Sequence, residues 1–359
     1  MQQEIYEKLR ARLDMFPQGF PSTQSGVEIE ILKQLFTPDE AERALNLKPF
    51  PEPTAGVAER MGRDAAGLSD TLYDMSLRGL ILRVRIQEDV YYGLIPWMVG
   101  MWEFQLNNLN QENIRLYERY YQEGLVPYKK QARLSGARVI PIEEEVRAFK
   151  EIQPFEKVSE IIASHTLFAV ADCICRKESA MLGHDCGKLR EACLMFGPAA
   201  EYYIENKLGR EITCEEAMDV LKKAEQDGLV HISSNHTGIK GYICNCCSCC
   251  CKAFTLITRY GHSDAVTKSN YYAALDPDKC SSCEVCIERC QVNAITGNET
   301  GIMLKKDRCI GCGLCISTCP TGALSMIPKQ PQEVSRIFQD TFESLHEIGK
   351  TWDKPFPFD

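Results

Sequence analysis

The chain has 359 residues, 44% of them hydrophobic and 25% charged, the composition of a folded protein with enough chain for two or three cores. Fifty acidic against 41 basic side chains leave a formal charge of −9, which argues against a broad nucleic-acid-binding surface. Nineteen cysteines, an odd number crowded into adjacent pairs and triples, suit a secreted disulfide framework poorly and point to metal or iron–sulfur ligation in a reducing cytoplasm. No signal segment is expected, and no apolar run approaches the ~20 residues of a membrane span.

Cysteine distribution divides the chain: none before Cys173, eleven from Cys173 to Cys251 and eight from Cys280 to Cys319. The expected organisation is a head over 1–100, a helical connection over 101–160, a cysteine-rich metal-binding domain over 161–265, a further domain over 270–328, and a carboxy-terminal helix and tail over 329–359. The fold class expected is α+β multidomain. In the head, Thr37 caps a helix over Asp39–Leu47, with Pro38 in its first turn and Glu40 completing a capping box. Short and longer helices follow over Val57–Met61 and Leu68–Arg78, and Gly79 ends the second. Strands over Leu80–Ile86 and Tyr91–Ile95 then form a hairpin turning at Gln87–Asp89.

This order of helices and hairpin, through Arg78-Gly79-Leu80-Ile81, resembles a winged helix-turn-helix domain. In that family the second of these two helices meets the DNA major groove. Here it carries Asp70 and Asp74, and residues 1–90 hold 11 basic and 15 acidic side chains, a balance of −4. The reading adopted is a winged-helix-like packing or docking module rather than a DNA reader. From Tyr91 to Tyr121 the chain is rich in Trp97, Trp102, Phe104, Tyr117, Tyr120 and Tyr121. Glu103, Glu112 and Glu118 among them disfavour a membrane surface and favour interdomain or subunit packing.

The middle region opens on Cys173-Ile174-Cys175-Arg176, followed by Cys186 and Cys193. After a capped helix, Cys214–Gln226 with Thr213 and Glu216 as its capping box, and a strand over Leu229–Ile232, comes Cys244-Asn245-Cys246-Cys247-Ser248-Cys249-Cys250-Cys251. Cys214, at a helix start, reads as structural. Crowding of the other ten needs a metal. Four thiolates would bind one [4Fe–4S] cluster, eight would bind two, and six would support a larger fused or bridged centre. Zinc remains the alternative for any four. His165, His184, His231 and His236 flank these groups as candidate nitrogen ligands or hydrogen-bond donors, and Arg176 and Lys177 could offset thiolate charge.

Next comes Cys280-x2-Cys283-x2-Cys286-x3-Cys290, repeated 29 residues on as Cys309-x2-Cys312-x2-Cys315-x3-Cys319-Pro320. The doubled run, with Gly311, Gly313 and Thr321-Gly322-Ala323-Leu324, resembles the bacterial-type dicluster ferredoxin domain over Leu275–Ile327. The resemblance implies two [4Fe–4S] clusters with exchanged fourth ligands: Cys280, Cys283, Cys286 and Cys319 for one, Cys309, Cys312, Cys315 and Cys290 for the other. Gln291 departs from the family's proline at that place, and Ser281-Ser282 from its small turn. In the tail, Val334, Ile337, Phe338, Phe342 and Leu345 suggest one amphipathic helix, broken by Pro355 and Pro357.

No nucleotide-binding glycine motif is present. The leading reading is an iron–sulfur electron-transfer protein or redox-enzyme subunit, partnered by a redox protein or enzyme in an anaerobic or microaerobic cell. Two [4Fe–4S] clusters would exchange electrons with an additional middle centre. Alternatives are a reductase with an open-site middle cluster and a redox-responsive DNA-binding regulator. Homo-oligomerisation is left open, and nucleic acid is disfavoured.

Overall fold

A computed structural model describes residues 2–147, 149, 152–299 and 301–358. Helices Gln2–Asp14, Val27–Leu35 and Pro38–Leu45 open the head. The third begins on the expected capping box, with Thr37 accepting from the Glu40 N–H and Glu40 accepting in return from Thr37. Strand β1 (Glu52–Pro53), helices Thr54–Met61 and Ala65–Leu77, and strands β2 (Leu82–Ile86) and β3 (Asp89–Gly93) follow. The three strands form an antiparallel sheet in the order β1-β3-β2, turning at Gln87 (φ +58°).

The face that a groove-reading helix would need is partly used inside the molecule. Tyr202 Oη donates to the carbonyls of Ser76 and Ile81, and Asn206 Nδ2 donates to Ser76. Arg83, 2% exposed, donates to Glu205 at 2.6 Å and Asn206 at 2.7 Å, and Arg85 reaches Glu205 at 2.8 Å. Trp97, Trp102, Phe104, Tyr117, Tyr120 and Tyr121 are all buried. Their burial makes the aromatic segment a packing element: Phe104 lies 4.3 Å from Tyr202, centroid to centroid.

The expected helical connection contains more than helices. Its Ala137–Ile140 segment is strand β4, the edge of a six-stranded sheet with β5 (Phe168–Asp172), β6 (Glu191–Phe196), β7 (Gly209–Ile212), β8 (Val230–Ser234) and β9 (Tyr242–Cys246). The spatial order is β4-β8-β9-β6-β5-β7 and every pair is antiparallel. Sequence periodicity could not reveal β4, because four residues are enough to join a ladder whose partner lies far along the chain.

Alternation sorts this sheet into two faces. Val170, Leu194 and Ile243 align on one face and pack with helices Val158–Ala163 and Cys214–Gln226. On the other, Ala171, Cys193 and Cys244 align, and Ile232 and Val139 continue the row. The β5 side of this second face joins the apolar core of the head, whereas Val139, Val230 and Ile232 join a core shared with the carboxy-terminal domain.

That domain contains β10 (Tyr271–Leu275), β11 (Ile295–Asn298), β12 (Gly301–Leu304) and β13 (Leu324–Pro328). The strands pair as two antiparallel ribbons, β10 with β13 and β11 with β12. Beyond it, the tail differs from the expected long helix. Val334 and Phe342 are exposed, and Phe338 instead forms a bridge beside His236, its carbonyl accepting from Thr237. The helix begins only at Thr341, where Asp340 accepts from the Glu343 N–H, and runs to Lys350. Tertiary backbone pairing has overridden the local apolar spacing.

Candidate metal centres

The eight late cysteines line two cavities. Cys280, Cys283, Cys286 and Cys319 converge on one, walled by Leu275, Ile302 and Leu324. Cys290, Cys309, Cys312 and Cys315 converge on the second, with Ala273, Val292 and Ile295. Backbone N–H groups point at sulfur: Ala294 to Cys290 Sγ at 3.1 Å and Ala273 to Cys309 Sγ at 3.4 Å. Gly311 is required by its backbone, since at φ +69° a Cβ would meet the Tyr271 carbonyl at 2.2 Å. Burial pushes the Cys312 thiol up to about 12 and raises Cys315 as well. Four sulfurs around each apolar-walled cavity, with backbone N–H groups aimed at them, fit an iron–sulfur cluster.

Residues 273–326 match the 4Fe-4S dicluster domain family. No curated protein matches the chain. The dicluster domain is fastened to the middle region beside Cys290: Arg289 donates to the carbonyls of Glu225 at 2.6 Å and Gln226 at 2.8 Å. Gln291, which stands where the resembled family usually has proline, accepts from the Ser248 N–H at 2.9 Å. The departure from the family therefore makes a contact that proline lacks the side-chain atoms to make.

Ser248 belongs to the second site. The sulfurs of Cys186, Cys247, Cys249 and Cys250 lie within 4.8 Å of one another, with Cys249 and Cys250 at 3.7 Å. Three come from one turn after β9, and Cys186 comes from the loop before β6. The Cys250 thiol foremost, with Arg176 also helping, pulls Cys247 down to about 5 despite its burial, whereas burial pushes Cys249 up to about 12. Four convergent sulfurs fit either an iron–sulfur cubane or a tetrahedral metal.

The other seven middle cysteines, Cys214 among them, do not join that group. Cys173 stands at the N-cap position of the helix Ile174–Met181, without a side-chain capping hydrogen bond, and Cys175 lies in its first turn. Cys193 and Cys244 are directly opposed across β6 and β9, and Cys246 follows on the same face. Cys251 stands at the N-cap position of the helix Lys252–Thr258. Each of these six thiols is perturbed chiefly by two of the others: Cys173 by Cys175 and Cys193, Cys251 by Cys175 and Cys246, and Cys244 by Cys193 and Cys246. Among the six the shifts alternate. Hydrogen bonds from their neighbours lower Cys173, Cys251 and Cys244, the last to about 5, and the reciprocal interactions raise Cys175, Cys246 and Cys193.

Arg176 serves both groups. It is 2% exposed, donates to the Asn245 carbonyl at 2.9 Å and lies 3.9 Å from Cys247 Sγ. Its Nε and second terminal nitrogen have no hydrogen-bond partner. Burial works against the guanidinium's charge, and negative charge on nearby thiolates, Cys173 foremost and then Cys247, outweighs it. Lys177, one residue on, points elsewhere and donates to the Leu106 carbonyl.

The sequence allows ten cysteines to meet; the structure gathers four of them into one group, leaves the other six outside it, and leaves Cys214 exposed at its helix start. None of the four flanking histidines joins the four-cysteine group. His231 pairs with Asn245 at 2.5 Å, His236 with Thr341 at 3.2 Å, and His165 stacks on Phe196. Glu103 had been passed over except as a charge in the aromatic segment. Burial pushes its carboxyl up to about 8 against the Gly100 N–H, and charge on Cys244 and Cys251 adds to the rise. A buried pair, Glu178 with Lys252 at 2.9 Å, adjoins Cys251. Nothing local in the sequence marks either, because the charges on Cys244 and Cys251 that act on Glu103 and the lysine that pairs with Glu178 arrive from distant segments. Together these features define an iron–sulfur protein with a dicluster ferredoxin-type domain and a separate cysteine-based metal site, suited to electron transfer.

Proposed function

We propose that this protein is an electron-transfer module or redox-enzyme subunit that exchanges low-potential electrons between its dicluster domain and the Cys186–Cys247–Cys249–Cys250 site. Cys280, Cys283, Cys286 and Cys319 would hold one [4Fe–4S] cluster, and Cys290, Cys309, Cys312 and Cys315 the other. Bound clusters supply one-electron oxidation and reduction. The chain supplies thiolates on short loops, N–H groups aimed at sulfur, and apolar walls that exclude water.

The observation that carries this reading is the Gln291–Ser248 hydrogen bond. It sets the residue after Cys290 against the residue between Cys247 and Cys249, so the second cavity and the four-cysteine site are neighbours. Exposed Cys283 leaves the first cavity as the face toward an external redox partner. The head, proposed as a winged helix over 1–100, acts as a packing module; its Arg83 and Ser76 contacts to 202–206 support that role over DNA reading. The remaining proposed divisions are 101–160, 161–265, 270–328 and 329–359, and the setting is the cytoplasm of an anaerobic cell. No helix among the described residues is long and apolar enough to cross a membrane.

A reductive titration of anaerobically purified protein tests the reading. Uptake should exceed about two electrons per chain, one for each [4Fe–4S] cluster of the dicluster domain, with a third signal growing in equilibrium with the first two. Uptake that stops at about two electrons would leave no redox role for the middle site.

A further inference from the structure

A cleft of about 700 Å³ opens where the residues before β4, the residues before β10 and the tail after β13 meet, and its wall reaches Cys309 of the second dicluster cavity. Five cations and three acids line it. Two of the cations are already paired: Lys306 with Glu333 at 2.8 Å, and Arg336 with Glu343 and Glu347, which lie outside the lining. Arg133, Asp264 and Asp307 are exposed. Lys268 and Lys329 differ from all of these. Sheet register brings them together, because Tyr271 pairs with Pro328 at the end of the β10–β13 ribbon and the Lys329 N–H continues the ladder to the Asn270 carbonyl at 2.8 Å. Lys329 Nζ then donates to the Ser269 carbonyl at 2.6 Å, and Lys268 Nζ donates to the Asp307 carbonyl. Both side chains are half-buried, and neither forms an ion pair among the described residues.

An ammonium group has three donors, so each lysine keeps two after its bond to a backbone carbonyl. Two such cations held at one ribbon end and partly shielded from water repel each other, and neutral carbonyls do not discharge them. An oxyanion between them would take the remaining donors in charge-assisted hydrogen bonds and remove the repulsion. The cleft also has an apolar side, supplied by Leu134 and by Tyr272, whose ring carries the Lys306 ammonium 4.0 Å from its centroid. A concave space of this volume, part apolar and with a few convergent polar groups, has the dimensions of a small-molecule site.

We propose that this cleft binds a small organic anion, with its carboxylate or phosphate oxygens between Lys268 and Lys329 and its apolar body against Leu134 and Tyr272. Seated there, the anion adjoins Cys309, so its charge opposes reduction of the cluster assigned to the second cavity. The binding site stands apart from the electron-transfer reading; only the redox consequence rests on it.

The test is calorimetric titration of the full-length, anaerobically purified protein with phenyl phosphate, benzoate, inorganic phosphate and a polyglutamate peptide at constant ionic strength. Phenyl phosphate or benzoate should saturate one site per chain, and whichever does so names the head group. Lys268→Gln/Lys329→Gln should weaken that binding by more than about tenfold, while Lys268→Arg/Lys329→Arg, which keeps both charges, should stay within about threefold. No saturation by either aromatic probe, equal affinity in the glutamine variant, or equally tight binding of inorganic phosphate would overturn the proposal. Tightest binding of polyglutamate would also overturn it and make the cleft a contact for an acidic protein. If the variants do not fold, lysine acetylation of the parent decides: the probe should protect Lys268 and Lys329, and unchanged labelling of both would overturn the proposal. Potentiometric EPR then reads the consequence. The saturating probe should lower the potential of one dicluster signal and leave the other in place; no shift in either would place the anion away from Cys309 and overturn the proposed pose. Failure of the protein to transfer electrons would leave the calorimetric and labelling results untouched, so the two readings fail separately.

Discussion

Replacing Arg176 by methionine removes the buried cation that lies 3.9 Å from Cys247 Sγ while keeping an unbranched side chain of similar reach. For an electron held beyond that sulfur, a separation of about 8 Å from the guanidinium is taken as the scale of the interaction. At that separation and an effective dielectric of about 20, two unit charges interact by about 2 kcal/mol. Since about 2.3 kcal/mol corresponds to 100 mV for one charge, the reduction potential of the four-cysteine centre should fall by about 90 mV. Its sign follows from charge: the cation stabilises the reduced, more negative state, so its loss makes reduction harder. Arg176→Lys keeps the charge and should stay within about 30 mV of the parent by the same scale. Potentiometric titration with EPR detection reads both variants, and the dicluster signals act as an internal reference. An unchanged potential, or equal shifts in the methionine and lysine variants, would refute an electrostatic role for Arg176.

Gly311→Ala places a Cβ 2.2 Å from the Tyr271 carbonyl in a left-handed backbone; it should cost the protein the cluster assigned to Cys290, Cys309, Cys312 and Cys315, about four irons per chain by iron assay. Glu178→Ala leaves Lys252, only 11% exposed at its side chain, with Glu118 as its remaining acid. It should lower stability by about 3 kcal/mol in anaerobic denaturant titration, and a change below about 1 kcal/mol would show that Glu118 suffices. Burial foremost, then the nearby Lys240 charge, lowers His236 from 6.5 to about 4. A folded-state value below the unfolded one favours the neutral ring in the folded protein. That stability is complete above pH 6.5 and is lost as pH falls through 4. His236→Gln should therefore flatten the acid limb of the stability curve by up to about 3 kcal/mol, with the Lys240 contribution common to both proteins; parallel curves for parent and variant would refute it.

Legibility in the sequence followed the range of the interactions involved. The capping boxes at Thr37 and Thr213 are satisfied within four residues, so spacing alone identified them and both are present. The dicluster runs were readable because three of the four sulfurs lining each cavity come from one short loop. Strand β4 was hidden because its ladder partner, β8, lies far along the chain. The separation of four of the ten middle cysteines from the rest was hidden for a related reason. It depends on the opposition of Cys193 and Cys244 and on where the turn after β9 points its sulfurs. In the tail, a helical apolar period lost to the bridge between His236 and Phe338.

The four-cysteine site draws on two segments that are separate along the chain, the loop carrying Cys186 and the turn Cys247–Cys250 after β9. A metal held across them would act as a covalent staple acts, closing a long loop and removing conformational freedom from the unfolded chain. The same turn is tied through Ser248 to Gln291 of the dicluster domain. Stripping the metal should therefore loosen the seam between the middle region and the dicluster domain before it disturbs either core, so that protease sites open first along that seam.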